Sequence, residues 1–72
     1  MTTPIELLDV VALVHDRTND VLVRGQVGTI VEVLSPGVFE VEFSDDQGKT
    51  YAMLPLSADD LIVLHTAPVK SA

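Results

Sequence analysis

The segment Val38-Phe39-Glu40-Val41-Glu42-Phe43 decides the fold class of this chain, because apolar and acidic side chains alternate along it. In an extended strand, Phe39, Val41 and Phe43 fall on one face, and Glu40 and Glu42 fall on the other. A period of two is typical of a half-buried strand, whereas a helix brings residues three and four apart onto one face. We therefore predict a strand that buries its two phenylalanines.

A turn and a returning strand follow this segment. Asp45-Asp46-Gln47-Gly48 combines residues that tolerate left-handed backbone conformations, and Lys49–Leu54 then completes a hairpin. Pro55 is expected to end that strand. The aspartates are interpreted as turn formers, because the loop lacks the repeated acidic spacing of a calcium site.

Two further strands are predicted upstream. Gly25 and Gly28 head the β-branched run Thr29–Leu34, which predicts a bend where one residue takes positive φ or two backbones approach closely. Asp9–His15 is a short apolar run that suits a strand. The connection over residues 16–23 is a long excursion of the kind that joins the first two strands of SH3-like barrels.

Ser57–Asp60 predicts one helical turn capped by Ser57, followed by a last strand, Leu61–Leu64. This order of elements predicts an all-β protein, a small five-stranded SH3-like barrel with a single 3-10 turn before the last strand. We assign the barrel to residues 5–65. The polar, proline-containing ends at residues 1–4 and 66–72 are expected to be flexible.

Composition is consistent with a small packed domain. The chain has 72 residues, of which 47% are hydrophobic and only 4% aromatic, so branched aliphatic side chains must build the core. With no cysteine to form a disulfide, stability has to come from packing or association. We expect neither a leader peptide nor a membrane-spanning segment, and we expect a bacterial cytoplasmic protein.

The charge balance limits the partners. Eleven acidic and four basic residues give a formal net charge of −7, which repels phosphate backbones and anionic membranes. We therefore expect no nucleic-acid partner and no membrane partner. The charge has two open interpretations, namely solubility alone or recognition of a basic protein.

The order of motifs resembles a known family. Gly25-Gln26-Val27-Gly28-Thr29-Ile30-Val31-Glu32, the alternating 39–43 segment and Thr50-Tyr51-Ala52 together resemble the bacterial domain-of-unknown-function family 4926, over about residues 7–64. The family brings no established activity. Similar small proteins are encoded beside small toxins, so the resemblance implies a neutralising, antitoxin-like or immunity-like role. The glycine-headed strand also resembles KOW modules and the nitrile hydratase β-subunit barrel.

Catalytic, cofactor-binding and metal-binding residues are not predicted. The chain has no cysteine nucleophile, and a barrel of this size offers no cleft for a serine triad. His15 and His65 end the first and last strands and could approach each other near Asp16 if those strands pair. Two imidazoles and one carboxylate do not make a convincing metal site, so we interpret them as ordinary strand-end histidines.

The candidate interaction surface consists of Glu32, Glu40, Glu42 and Tyr51. The carboxylates form either a solvated face with ion pairing to Lys49 or an acidic docking surface. Tyr51 either shields the barrel or contacts a partner. We therefore expect a non-enzymatic protein-interaction module with a basic partner. The alternatives are a structural or accessory subunit, including a homo-oligomer or a small enzyme subunit, and KOW-like nucleic-acid binding, against which the acidity argues.

Overall fold

The computed structural model describes residues 4–17, 19 and 21–65. The predicted flexible ends, except for Pro4, lie outside these residues. Five strands and a short 3-10 helix follow one another as the sequence predicts. Their bounds are β1 Val10–Leu13, β2 Val27–Ser35, β3 Val38–Ser44, β4 Thr50–Ser57, the 3-10 helix Ala58–Asp60, and β5 Leu61–Val63.

All five strands belong to one antiparallel sheet in the order β4-β3-β2-β1-β5. β2, β3 and β4 form a meander on one side of the sheet, as the hairpin signals predict. β1 lies between β2 and β5, so the first and last strands are neighbours. Within the part of the chain described, no ladder joins β4 to β5. The prediction of an all-β, five-stranded protein with a 3-10 turn before the last strand is confirmed.

The alternating segment lies where its pattern indicates. Phe39 is only 6% exposed, and Val41 and Phe43 are completely buried. β4 places Leu56, Leu54 and Ala52 opposite them in register. Side chains from every strand complete the core, which comprises Val11, Leu13, Leu22, Ile30, Phe39, Val41, Phe43, Leu56 and Leu61.

The two glycines near the start of β2 have different roles. Gly25 has a φ of +95°, a conformation that side chains with a Cβ rarely adopt. Gly28 has ordinary strand geometry, but a Cβ on it would lie 2.7 Å from Cγ1 of Val41 and 2.9 Å from the carbonyl oxygen of Glu42. Both uses expected from the sequence, positive φ and close backbone approach, are therefore present.

The end predicted for β4 is wrong. Pro55 does not stop the strand, which continues to Ser57 with Pro55 opposite Glu40. A proline cannot donate to a ladder, but β4 is the outer strand of the sheet and needs hydrogen bonds on one side only. The turn before β4 forms as predicted, with the Asp45 carboxylate accepting from the amides of Gln47 and Lys49 at 2.9 and 3.0 Å.

The connection between β1 and β2 contributes to the core. Arg17 and Leu22 form an isolated antiparallel bridge, and Leu22 is only 2% exposed. The carboxylate of Asp16 accepts a hydrogen bond from the amide of Arg24 at 2.8 Å. These two contacts join the two sides of the connection to each other. Among the residues described, no helix is long and apolar enough to cross a lipid bilayer.

Candidate functional site

Three of the four predicted surface residues lie together on the outer face of the sheet. We call Glu32, Glu40 and Glu42 the carboxylate row. Glu40 and Glu42 alternate with the buried residues of β3, so they point away from the core. Glu32, on β2, is the register partner of Glu40, next to a bulge in β2 that follows Ile30.

The pairing of Glu32 with Glu40 is electrostatically unfavourable. Directly opposed residues of an antiparallel pair have Cβ atoms about 5 Å apart, and like charges there are destabilising by about 0.2–1 kcal/mol. The ion pairs of the described residues do not include one between Lys49 and this row. Glu42 does accept a hydrogen bond from the Thr50 hydroxyl. Among the described residues, no ion pair offsets the negative charge of the row.

Tyr51 lies apart from the carboxylate row. Its ring packs against Phe43 with the centroids 6.4 Å apart, and Phe43 points to the opposite face of β3 from Glu42. Its hydroxyl accepts a hydrogen bond from Nε2 of Gln26 at 3.1 Å. Tyr51 is still 48% exposed. The contacts match the shielding interpretation, while the exposed part of the ring leaves an interface role open to experiment.

The two histidines are not brought together. β1 and β5 pair antiparallel, with Val11 opposite Val63 and Leu13 opposite Leu61. His15 and His65 therefore lie at opposite ends of the ladder, roughly 20 Å apart at 3.3 Å per residue. The expectation that pairing of these strands could bring them close is wrong, because it holds only for parallel strands. No cluster of three or more metal-ligating side chains occurs in the described residues.

His15 instead contacts Asp60, a residue that joins three parts of the chain. Nε2 of His15 donates to the Asp60 carboxylate at 2.6 Å, and the amide and hydroxyl of Ser57 donate to it at 3.0 and 3.1 Å. Nη1 of Arg17 lies 3.6 Å away. Asp60 thus caps the 3-10 helix and fastens the β1–β2 connection to it.

The electrostatics of Asp60 follow from these contacts. Its side chain is only 15% exposed, and burial by itself raises the pKa of a carboxyl group. The hydrogen bonds from His15 and Ser57, with the charge of His15, outweigh burial and lower the pKa of Asp60 below its ordinary value of 3.8. Ionised Asp60 can only accept hydrogen bonds, so Nε2 of His15 carries the proton. This arrangement holds the 3-10 helix and the connection between β1 and β2 together.

A groove of about 510 Å³ runs beside β5. Apolar side chains line most of it, including Ile5, Phe39 and Leu61, and Asp59 and His65 supply its ionisable groups. Its described lining contains no serine or cysteine that could act as a nucleophile. The groove is therefore an apolar crevice with one imidazole, that of His65, and one carboxylate, that of Asp59.

Sequence reasoning missed an outward-facing apolar patch on the other half of the sheet. Ile62 of β5 and Val27 of β2 are 54% and 45% exposed, and both pair with Ala12 of β1. Ile62 lies within the continuous apolar run Leu61–Leu64, and Val27 lies between Gln26 and Gly28, so periodicity could not assign either side chain to a face. The pairing of β1 with β5 was needed to place Ile62 beside Val27.

Comparison with known proteins returns one family. The family model described as Domain of unknown function (DUF4926) matches residues 7–63. No curated protein and no solved structure matches the chain.

Proposed function

The chain belongs to the DUF4926 family, and from this premise we propose that it is a non-enzymatic protein-interaction module that binds a basic partner protein through the carboxylate row. The pairing of Glu32 with Glu40 is the observation that carries the proposal. A cross-strand pair of like charges costs the free protein stability, and a cationic partner would remove that cost. Violations of local rules concentrate at functional sites.

The rest of the molecule supports a binding role over a catalytic one. The best-connected carboxylate, Asp60, is occupied by hydrogen bonds within the fold. The charge of −7 favours encounter with a positively charged protein by long-range attraction. The most specific form of the proposal is an antitoxin-like or immunity-like protein of the bacterial cytoplasm that covers a basic surface of a small partner.

The proposal includes closure of the sheet into an SH3-like barrel, which would present the carboxylate row on a convex surface. One contact between non-neighbouring strands supports closure. Nε2 of Gln26, the residue directly before β2, donates to the hydroxyl of Tyr51 on β4, two strands away in the sheet.

The test is binding to the purified product of the neighbouring gene, measured by isothermal titration calorimetry. The variant Glu32→Gln/Glu40→Gln/Glu42→Gln should bind at least about tenfold more weakly, since three surface ion pairs contribute roughly 0.5 kcal/mol each. A charge-matched control is Glu6→Gln/Asp46→Asn/Asp59→Asn, because all three side chains are exposed and lie outside the row.

The control variant distinguishes binding at the carboxylate row from attraction by the overall negative charge of the protein. If both triple variants lose the same affinity, the carboxylate row has no special role and the proposal fails. If the wild type does not bind the neighbouring product at all, the antitoxin-like form of the proposal is refuted.

A further inference from the structure

The outer face of β5, β1 and β2 carries a continuous aliphatic surface, which we call the aliphatic patch. Core residues of β1 and β5 alternate with its members, so the patch lies on the face away from the interior, and Ala12 at its centre is only 8% exposed. Val27, Ile62 and Leu64 are 45%, 54% and 37% exposed. The patch consists of Val10, Ala12, Val27, Ile62 and Leu64.

Register places the patch and the carboxylate row side by side. Val10 pairs with Thr29, and Thr29 pairs with Glu42, so one line across the sheet runs from aliphatic to acidic. Adjacent strands are about 4.8 Å apart, so Glu42 lies roughly 10 Å from Val10. The aliphatic patch therefore borders the carboxylates of β3, and Met53 and Pro55 of β4 lie on the far side of those carboxylates.

We propose that the aliphatic patch docks an amphipathic α-helix of the basic partner, whose flanking lysine or arginine side chains lie over the carboxylate row. This inference rests on the proposed function and names the element that is recognised. A helix with its side chains is about 10–12 Å across, the width of three neighbouring strands. Long basic side chains keep their stems on apolar surface while their charged ends reach sideways to Glu42 and Glu40.

Charge complementarity selects this occupant over a second copy of the chain. In a symmetric dimer built on the patch, the same surface of both copies would meet. That arrangement would bring into contact two molecules that each carry a formal net charge of −7. A basic helix removes this repulsion, whereas a second copy increases it.

Fluorescence anisotropy with a labelled leucine–lysine peptide of about 18 residues, designed as an amphipathic helix, tests the inference. A scrambled peptide of the same composition keeps the charge and loses the apolar face. Wild-type protein should bind the amphipathic peptide at least about fivefold more tightly than the scrambled one, a difference of about 1 kcal/mol.

Two double variants locate the binding surface. Val27→Thr/Ile62→Thr makes the patch polar and keeps β-branched side chains, so the strands retain their propensity. Val23→Thr/Val33→Thr is the matched control, because these two valines are 57% and 51% exposed outside the patch. The first variant should weaken peptide binding about fivefold or more, and the second should leave it within about twofold.

The outcomes also distinguish this inference from the proposed function. If Glu32→Gln/Glu40→Gln/Glu42→Gln weakens binding and Val27→Thr/Ile62→Thr does not, the proposed function survives and the helix-docking inference fails. If neither variant differs from its control, both are refuted. Sedimentation velocity showing a wild-type dimer that Val27→Thr/Ile62→Thr dissociates would assign the patch to a second copy and overturn the inference.

Discussion

Replacing Gly28 with alanine should destabilise this protein, although glycine is usually a poor residue inside a strand. At a position with ordinary φ, a glycine-to-alanine change gains about 0.4–1 kcal/mol by restricting the unfolded chain. Gly28 has ordinary φ but no room. Its added Cβ would lie 2.7 Å from Cγ1 of Val41 and 2.9 Å from the carbonyl oxygen of Glu42.

The size of the effect follows from what the new methyl group would meet. Val41 is completely buried, and the Glu42 oxygen belongs to the backbone of the central hairpin, so neither atom can move away without distorting β3. Overpacking a tight core costs about 1–3 kcal/mol. After the entropic gain is subtracted, Gly28→Ala should lose about 1–2 kcal/mol. For a domain of this size, Tm should fall by about 5–15 °C.

Urea denaturation and calorimetry measure this change directly. A double-mutant cycle with Val41→Ala identifies its cause, because removing Cγ1 of Val41 relieves the shortest contact. The cost of Gly28→Ala should therefore be smaller in the Val41→Ala background. A Gly28→Ala protein that is as stable as the wild type, or more stable, would refute the close approach of β2 to β3.

Three other substitutions probe separate parts of the account. Glu40→Gln should raise the free energy of unfolding by about 0.2–1 kcal/mol in low salt, and by less in high salt. A urea midpoint that does not rise would show that repulsion between Glu32 and Glu40 does not destabilise the protein. Asp60→Asn should cost about 1–2 kcal/mol at neutral pH. Folding lowers the pKa of Asp60, so the stabilisation by the ionised carboxylate is fully present above the ordinary pKa of 3.8 and is lost as the pH falls through the folded pKa. A difference in urea midpoint between wild type and Asp60→Asn that does not change with pH would contradict this. Pro55→Thr should increase self-association, detected by light scattering, since it gives the outer strand β4 a new amide; unchanged scattering would show that Pro55 does not protect the edge.

Local patterns predicted the strands, and tertiary context decided where they end and what they touch. The alternation of Phe39, Val41 and Phe43 predicts their burial correctly, because a period of two fixes which face each side chain takes. Pro55 misleads for a physical reason. Whether a proline ends a strand depends on whether that strand lies at the edge of the sheet, and the edge is set by residues far away in sequence.

The candidate site shows the same division. The outward direction of Glu40 and Glu42 was predictable from the alternation along β3, but the pairing of Glu32 with Glu40 depends on the bulge in β2. His15 was interpreted beside His65, whereas its partner is Asp60, 45 positions away in the chain. Leu22 lies in a polar connection and gave no periodic signal, yet it is part of the core. Contacts of this kind come from packing and strand order, which short-range patterns do not encode.

Chemical-shift mapping tests the central claim most directly. Amide resonances of ¹⁵N-labelled wild-type protein would be followed while the unlabelled leucine–lysine helical peptide is added. The account predicts that the largest changes cluster on the outer face of β5, β1, β2 and β3, around Ile62, Val27, Glu32, Glu40 and Glu42. Changes concentrated instead around His15 and Asp60, or in the turn at Asp45–Gly48, would contradict it.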